Sequence, residues 1–141
     1  MMPHDKRVSY ISTRPDELVP HLQPYFGGCV ITRSHAEYTF TDAQGIPVPR
    51  VTVPDVMLWV RTYDGTDICV PVEVKISGKF EAIRGKVIGQ VKSLYKYLDW
   101  HPELGMQVPG LLVVHGGRMD GRRWRDYGVE FLQRYDSIPR L

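Results

Sequence analysis

Cysteine is scarce in this chain, which has only Cys29 and Cys69. Both lie in apolar, strand-like runs, and neither belongs to a CxxC motif or a Cys/His ligand spacing. A disulfide framework and a cysteine-based zinc site are therefore excluded. We expect two buried free thiols in a reducing, cytoplasmic compartment.

Long apolar runs are also missing. The first ten residues are polar and lack the apolar core of a signal peptide. The uncharged stretch 104–117 is broken by Pro109 and by glycines, and it is too short to cross a bilayer. Repeats and low-complexity tracts are absent as well. The sequence predicts a single soluble domain over residues 1–141, with no membrane partner.

The net charge of only +2 hides an uneven distribution. Residues 1–74 carry six Lys/Arg against nine Asp/Glu, whereas residues 75–141 carry twelve against seven. The basic residues concentrate in two stretches, 75–96 and 118–125. A one-sided excess of this kind attracts a polyanion. An ordinary solvated helix face has the same pattern, so charge alone leaves both interpretations open.

Hydrophobic periodicity predicts the order of the elements. Residues 1–12 are interpreted as a leader with a short apolar patch at Val8–Ile11. Helical signals are found at 15–26, at 80–100 and within 124–135, the first interrupted by Pro20 and Pro24. Strand signals are found at 29–32, at 37–41, in a hairpin over 51–76 and at 109–115. This order predicts an α/β sandwich.

The segment most informative about chemistry is Pro54-Asp55, followed after seventeen residues by Glu73-Val74-Lys75. Alternate side chains of a strand share one face, so Glu73 and Lys75 point the same way and Val74 points to the other face. The hairpin brings Asp55 beside Glu73. Two carboxylates and an ammonium group should therefore converge.

Such a cluster suits the hydrolysis of a phosphodiester. Mg²⁺ prefers oxygen ligands, which Asp55, Glu73 and the Val74 backbone carbonyl supply. Lys75 is placed to orient a water molecule and to stabilise charge in the transition state. A structural ion network among Asp55, Glu73 and Lys75 is the alternative interpretation.

These residues, on a hairpin that is followed by an amphipathic helix, resemble the PD-(D/E)XK nuclease superfamily. The resemblance implies a restriction-endonuclease-like core, α-β-β-β-α-β, with a mixed central sheet flanked by helices. It implies Mg²⁺ or Mn²⁺ held by Asp55 and Glu73, with Lys75 catalytic. Many members add an acidic residue on the first helix, for which Glu17 is the match and Asp16 the alternate.

The subgroup stays open between RecB-like and Holliday-junction-resolvase-like nucleases. RecB-like members carry a Gln followed four residues later by Tyr. Gln90 fits the first position and is assigned a catalytic role, but position 94 is Leu. Those members also use an upstream histidine as a metal ligand, for which His21 and His35 are the candidates. Junction-resolving members are small homodimers.

Taken together, these features predict a metal-dependent deoxyribonuclease of DNA repair or recombination. We expect it to select DNA by structure rather than sequence and to act as a homodimer, with endonuclease and exonuclease activity both open. A catalytically inactive nucleic-acid-binding or interaction module with the same fold is the alternative. The residues expected to hold the DNA backbone are basic: Lys79, Arg84, Lys86, Lys92, Arg122 and Arg123.

Two further residues carry structural expectations. Pro71 cannot donate a hydrogen bond to a ladder, so it predicts an edge strand or a bulge at that position. His115 ends an apolar run and is expected to lie at the surface, at the end of its strand.

Overall fold

A computed structural model describes residues 4–42, 44–48, 53–75, 80–115 and 128–133. The described residues form three α-helices and five β-strands. The helices are α1 (His4–Thr13), α2 (Val19–Phe26) and α3 (Phe80–Trp100). The strands are β1 (Val30–Ala36), β2 (Val56–Arg61), β3 (Asp67–Lys75), β4 (Gly110–His115) and β5 (Gly128–Gln133). Within these ranges, every helix is too short or too polar to cross a membrane.

The five strands form one mixed sheet in the order β1-β2-β3-β4-β5. The first three make an antiparallel meander, and β5 is antiparallel to β4. Only β3 and β4 pair in parallel, joined by the long crossover that contains α3. A parallel pair needs such a crossover, which explains why α3 stands between these two strands. The expected α/β class with a mixed sheet is confirmed.

Helices cover both sides of the sheet and create two apolar cores. On the side that we call the α1 face, Val56, Leu58, Val70, Val72 and Val74 pack against α1 and α2. On the opposite side, the α3 face, Met57, Cys69, Leu111 and Val113 pack against α3. Neighbouring residues of β2, β3 and β4 alternate between these cores. Each of these strands is therefore apolar throughout, apart from the polar residues near its ends.

The leader expected over residues 1–12 is wrong from His4 onwards, because α1 begins there. Val8 and Ile11, one helical turn apart, are buried against the sheet and anchor the helix. The short, kinked helix expected after Pro15 is confirmed as a 3-10 turn, Pro15–Leu18, that continues into α2. Gly27 ends α2 with a φ of 64°, which glycine adopts without strain.

The hairpin expected over 51–76 is confirmed as β2 and β3. Their register runs without interruption from Val56↔Val72 to Arg61↔Asp67. Gly65 has a φ of 84° in the connecting turn, where the Asp64 carboxylate accepts the Thr66 N–H. The strand expected at 37–41 is wrong, because the chain turns at Glu37 with a φ of 53°. Strand β1 pairs with β2 instead.

The helix expected within 124–135 is wrong for residues 128–133, which form β5. The free edge of β4 supplies hydrogen-bond partners, and Phe131 packs against Phe26 with ring centroids 5.5 Å apart. The rest of that expected helix lies outside the described residues. The helical spacing of Trp124, Tyr127, Phe131, Leu132 and Tyr135 was too little evidence, since tertiary pairing overrides weak local preference.

Pro71 lies in the middle of the sheet, so the expected edge or bulge is wrong. The N–H of Cys69 donates to the Gln107 carbonyl at 2.8 Å, which shows that Cys69 faces the β4 side. Pro71, two residues later, faces the same side. Pairing with β4 begins at Val72↔Leu112. Pro71 therefore comes directly before the β3–β4 ladder begins, at a position where no N–H donor is needed.

Candidate functional site

Asp55, Glu73 and Lys75 meet at the end of the sheet where β3 finishes. Asp55 directly precedes β2, and the hairpin register brings it beside the last residues of β3. The Lys75 ammonium lies 3.9 Å from the Glu73 carboxylate, on the α3 face. Val74 points into the opposite core. The alternation expected for Glu73, Val74 and Lys75 is thus present.

Glu73 is one of the few buried polar residues, and its side chain is only 5% exposed. Burial, together with the charge and hydrogen bond of Asp55, raises the pKa of Glu73 to about 8, while the Lys75 ammonium opposes this shift. Burial is the largest cause, because a low-dielectric surrounding disfavours the charged carboxylate. At neutral pH the protonated form of Glu73 is therefore favoured when no cation is bound.

Asp55 is fixed in place by hydrogen bonds from β3 and from the residue that follows β1. Its Oδ2 accepts the N–H of Val74 at 2.7 Å, and its backbone carbonyl accepts the N–H of Glu37 at 2.8 Å. The carboxylate is 18% exposed. It is therefore held rigidly yet remains reachable from solvent, as a ligand for a hydrated cation must be.

His4 is the residue of this site that the sequence interpretation missed. Its Nε2 lies 3.3 Å from Asp55 Oδ2. The residue begins α1, in a segment interpreted as a leader, and no local motif marks it. It approaches Asp55 because α1 packs across the sheet with Val8 and Ile11 as anchors. An imidazole nitrogen thus lies beside the carboxylate oxygens.

Arg7, one turn after His4, is almost fully buried, at 1% exposure. Its guanidinium donates to the Lys75 backbone carbonyl at 3.4 Å. This bond ties α1 to the end of β3, where the motif lies. Burying a guanidinium costs free energy unless it is hydrogen-bonded. The contact with the Lys75 carbonyl therefore holds α1 and the end of β3 together.

Gln90, on α3, lines a narrow cavity of about 10 Å³ together with Glu73. Pro54 and Pro71 close the same cavity. Gln90, which was predicted to be catalytic, is thus placed beside Glu73. Lys86, one turn earlier, is exposed. Tyr95 is buried in the α3-face core.

The acidic residue expected from the first helix is not brought to this cluster. The Glu17 carboxylate accepts hydrogen bonds from the Tyr10 hydroxyl at 3.2 and 3.3 Å, within the helical layer of the α1 face. Its neighbour Asp16 is exposed. Neither of the two histidines considered as ligands forms an ion pair with Asp55 or Glu73. His21 lies in α2, where burial lowers its pKa, and the His35 Nδ1 lies 2.8 Å from the Ala36 carbonyl.

His115 is buried, at 8% exposure, so the expected surface position is wrong. It ends β4 beside Lys75 and opposite Gly128. Its Nε2 lies 3.6 Å from the Glu130 carboxylate. The imidazole fills the space that a side chain at position 128 would take, so it leans towards β5. This places it next to the cluster rather than within it.

The basic residues expected to hold DNA are only partly described. Lys86 and Lys92 are exposed on α3, and Arg84 belongs to the same helix. Lys79, Arg122 and Arg123 lie outside the described residues. Lys86 and Lys92 lie on α3, before and after Gln90. This helix covers the side of the sheet to which Glu73 and Lys75 point.

A cavity of about 460 Å³ lies at the opposite end of the sheet. Tyr25, Phe26 and Phe131 line it, together with Ile68 at the start of β3. Ile68 is five residues before Glu73, a distance of about 17 Å along a strand. This cavity holds none of the residues singled out by the sequence.

The donor set at Asp55 and Glu73 fits a hard divalent cation. Two adjacent carboxylates repel each other unless a proton or a cation separates them, and after burial the Asp55 charge is the next cause of the raised pKa of Glu73. In the described part of the chain, no three His, Cys, Asp or Glu side chains gather closely enough to enclose a metal. Mg²⁺ commonly uses one or two carboxylates and completes its coordination with water and phosphate. No protein-family model, curated protein or solved structure matches the chain.

Proposed function

We propose that this protein is a divalent-metal-dependent deoxyribonuclease. The observation that carries the proposal is the pair of adjacent carboxylates, Asp55 and Glu73, with Lys75 on the same face. The raised pKa of the buried Glu73 makes this pair a place where a cation is favoured. The ammonium group 3.9 Å from Glu73 adds the positive charge that phosphodiester hydrolysis needs.

The order of elements supports a restriction-endonuclease-like core. Helix α1, the meander β1-β2-β3, the crossover helix α3 and the parallel strand β4 follow the α-β-β-β-α-β pattern. In that core, the two motif strands carry the acidic residues and the lysine. In this chain, Asp55 directly precedes β2 and Glu73-Val74-Lys75 ends β3.

We assign each residue one role. Asp55 and Glu73 would hold Mg²⁺ or Mn²⁺ with the Val74 carbonyl, and His4 offers a nitrogen beside Asp55. The bound ion would neutralise phosphate oxygens and acidify a water molecule. Lys75 orients the attacking water and stabilises the developing negative charge. Gln90, which lines the same narrow cavity as Glu73, positions that water from α3.

The direct test is a cleavage assay with labelled single-stranded, duplex, flap and four-way-junction DNA. The purified protein is incubated with Mg²⁺, Mn²⁺ or EDTA, beside Asp55→Asn and Lys75→Met. We expect metal-dependent cleavage that falls at least about a hundredfold in both variants, since each removes a group that acts in the transition state. Lys6→Met, at an exposed lysine on α1 that has no assigned role, is the matched control and should keep most of the activity.

No cleavage of any substrate by the folded wild-type protein would refute the proposal. If DNA binding then persisted and did not change with metal or with the Asp55 substitution, the protein would be a catalytically inactive DNA-binding module with this fold. The homodimer is part of the proposal too, and light scattering of the free protein checks it directly.

A further inference from the structure

Strand β1 contains an irregularity that changes which residues face the candidate site. Ile31 pairs with Val60, but Arg33 pairs with Trp59, so the register shifts by one residue at Thr32. The Thr32 hydroxyl donates to the Trp59 carbonyl at 3.2 Å. This is a β-bulge, a device that redirects side chains at the edge of a sheet.

The bulge reverses the faces to which the side chains in the second half of β1 point. In a regular strand, residues two apart share a face, so Arg33 would point the same way as Ile31, towards the α1 face. Because of the extra residue, Arg33 and His35 are opposite Trp59 and Met57, which belong to the α3-face core. Ser34 then points to the α1 face, where its hydroxyl donates to the Ser12 carbonyl at 2.7 Å.

The redirected residues build a cationic and aromatic surface with Tyr38 and Trp59, which we call the β1 platform (Arg33, His35, Tyr38 and Trp59). The Arg33 guanidinium lies over the Trp59 ring, 4.5 Å from its centroid. Tyr38 contacts Trp59 edge-on at 5.3 Å, and His35 contacts Tyr38 edge-on at 5.7 Å. Arg33 and His35 are exposed, whereas Tyr38 and Trp59 are half-buried.

This platform leads directly to Asp55. His35 pairs with Met57, which is two residues after Asp55, a separation of about 7 Å along the strand. Trp59 is two residues further, at about 13 Å. Met57 and Trp59 point to the α3 face, and Glu73 lies on that same face beside α3. A chain lying across Arg33 and His35 therefore reaches the carboxylates without crossing the sheet.

We propose that the β1 platform stacks the bases of a single DNA strand and guides that strand to Asp55. The inference rests on the proposed nuclease function and specifies its substrate as single-stranded DNA or a single-stranded end. Unpaired bases stack on aromatic rings and on guanidinium planes, and Arg33 backed by Trp59 offers such a plane. The bases of a duplex are already stacked on each other, so duplex DNA offers this surface only phosphates.

The test measures binding in EDTA, where cleavage does not interfere. Fluorescein-labelled oligonucleotides of equal length are compared: a single strand with bases, the same strand with abasic positions, and a duplex. We expect the strand with bases to bind roughly tenfold more tightly than the abasic strand, which has the same phosphates. Arg33→Ala and His35→Ala should remove most of that difference.

Two further variants separate stacking from charge and from packing. Arg33→Lys keeps the charge but loses the plane, so it should weaken binding of the strand with bases and leave the abasic strand unchanged. Arg14→Ala is the matched control, because Arg14 also lies over an aromatic ring, 4.3 Å from the Tyr10 centroid, but belongs to the α1 face. It should not change binding. Thermal unfolding of each variant shows whether it is folded.

Equal affinity of wild-type protein for the strands with and without bases would overturn the proposal, as would an Arg33→Ala variant that is folded and binds like Arg14→Ala. Failure of the proposed function looks different. In that case, cleavage is absent under every metal condition while base-dependent binding at the platform persists. If instead the platform is wrong and the nuclease is right, metal-dependent cleavage remains with an unchanged KM in Arg33→Ala.

Discussion

The Asp55 carboxylate accepts the backbone N–H of Val74 at 2.7 Å. Val74 stands between Glu73 and Lys75, so one hydrogen bond ties the first half of the motif to the second. The bond also continues the hairpin beyond Val56↔Val72, the last residue pair at this end of the ladder. Asp55 thus has two effects: its carboxylate accepts a structural hydrogen bond, and its charge raises the pKa of Glu73. Substitutions can separate these two effects.

Replacing Asp55 by asparagine or alanine makes that separation. Asp55→Asn keeps an oxygen acceptor for the Val74 N–H and removes the negative charge beside Glu73. Its free energy of unfolding in EDTA should equal or exceed that of the wild type. Asp55→Ala leaves a part-buried N–H without its acceptor and should cost about 1–3 kcal/mol. Urea unfolding of the three proteins measures the difference.

A purely structural ion network would give a different order. The Asp55 charge would then stabilise the fold through its neighbours, and Asp55→Asn would lose about as much stability as Asp55→Ala. That result would favour the structural interpretation of Asp55, Glu73 and Lys75 over a metal site.

Glu73 should make the stability of the metal-free protein depend on pH. Its pKa is about 8 in the folded protein, against an ordinary value of 4.5. Between these values the folded state holds a proton that the unfolded state has released, so the stabilising contribution is fully present below about pH 4.5 and is lost as pH rises through 8. Glu73→Gln cannot lose this proton. It should therefore gain stability relative to the wild type from about pH 5 to about pH 9.

Thermal unfolding of Glu73→Gln and the wild type in EDTA measures the stability gap between them at each pH. Each unit of pKa shift corresponds to about 1.4 kcal/mol, so the gap should widen by at least that amount, or by several degrees in Tm. Because Asp55 contributes to the raised pKa, an Asp55→Asn background should narrow the gap. A gap that is the same at both ends of the pH range would show that Glu73 has no raised pKa.

Periodicity was enough to predict the elements that lie inside the sheet and against it. The hairpin around Asp64-Gly65 follows from turn chemistry between two apolar runs, and α3 follows from Val87, Val91 and Leu94 stepping by three or four. The shared face of Glu73 and Lys75 needs only the two-residue period of a strand. These features depend on local geometry, which a single sequence carries.

Features set by contacts between distant segments could not be predicted in the same way. His4 reaches Asp55 through the packing of α1, and nothing in its own neighbourhood indicates that contact. The direction of Arg33 depends on one extra residue at Thr32, which changes no hydrophobic pattern. Strand β5 forms because β4 has a free edge, although Phe131 also fits a helical spacing.

Arg7 should be essential for the stability of the junction between α1 and β3. Its guanidinium is buried and donates to the Lys75 carbonyl. Arg7→Met keeps an apolar stem of similar length but removes the donor, so urea unfolding should show a loss of about 1–3 kcal/mol. Lys6→Met, an exposed neighbour on the same helix, should change stability by less than about 0.5 kcal/mol. Equal stability of the two variants would mean that the Arg7 bond contributes nothing.

Gly128 should be required because the His115 imidazole occupies the space beside it. A Cβ at position 128 would overlap this ring, with His115 Nδ1 only 2.7 Å away. Gly128→Ala should therefore cost about 1–3 kcal/mol by urea unfolding, and His115→Ala in the same chain should restore part of it. Gly89→Ala is the control, because its Cβ would meet nothing and it lies within α3, where alanine should stabilise by up to about 1 kcal/mol. If Gly128→Ala and His115→Ala have simply additive effects, the imidazole does not fill this space.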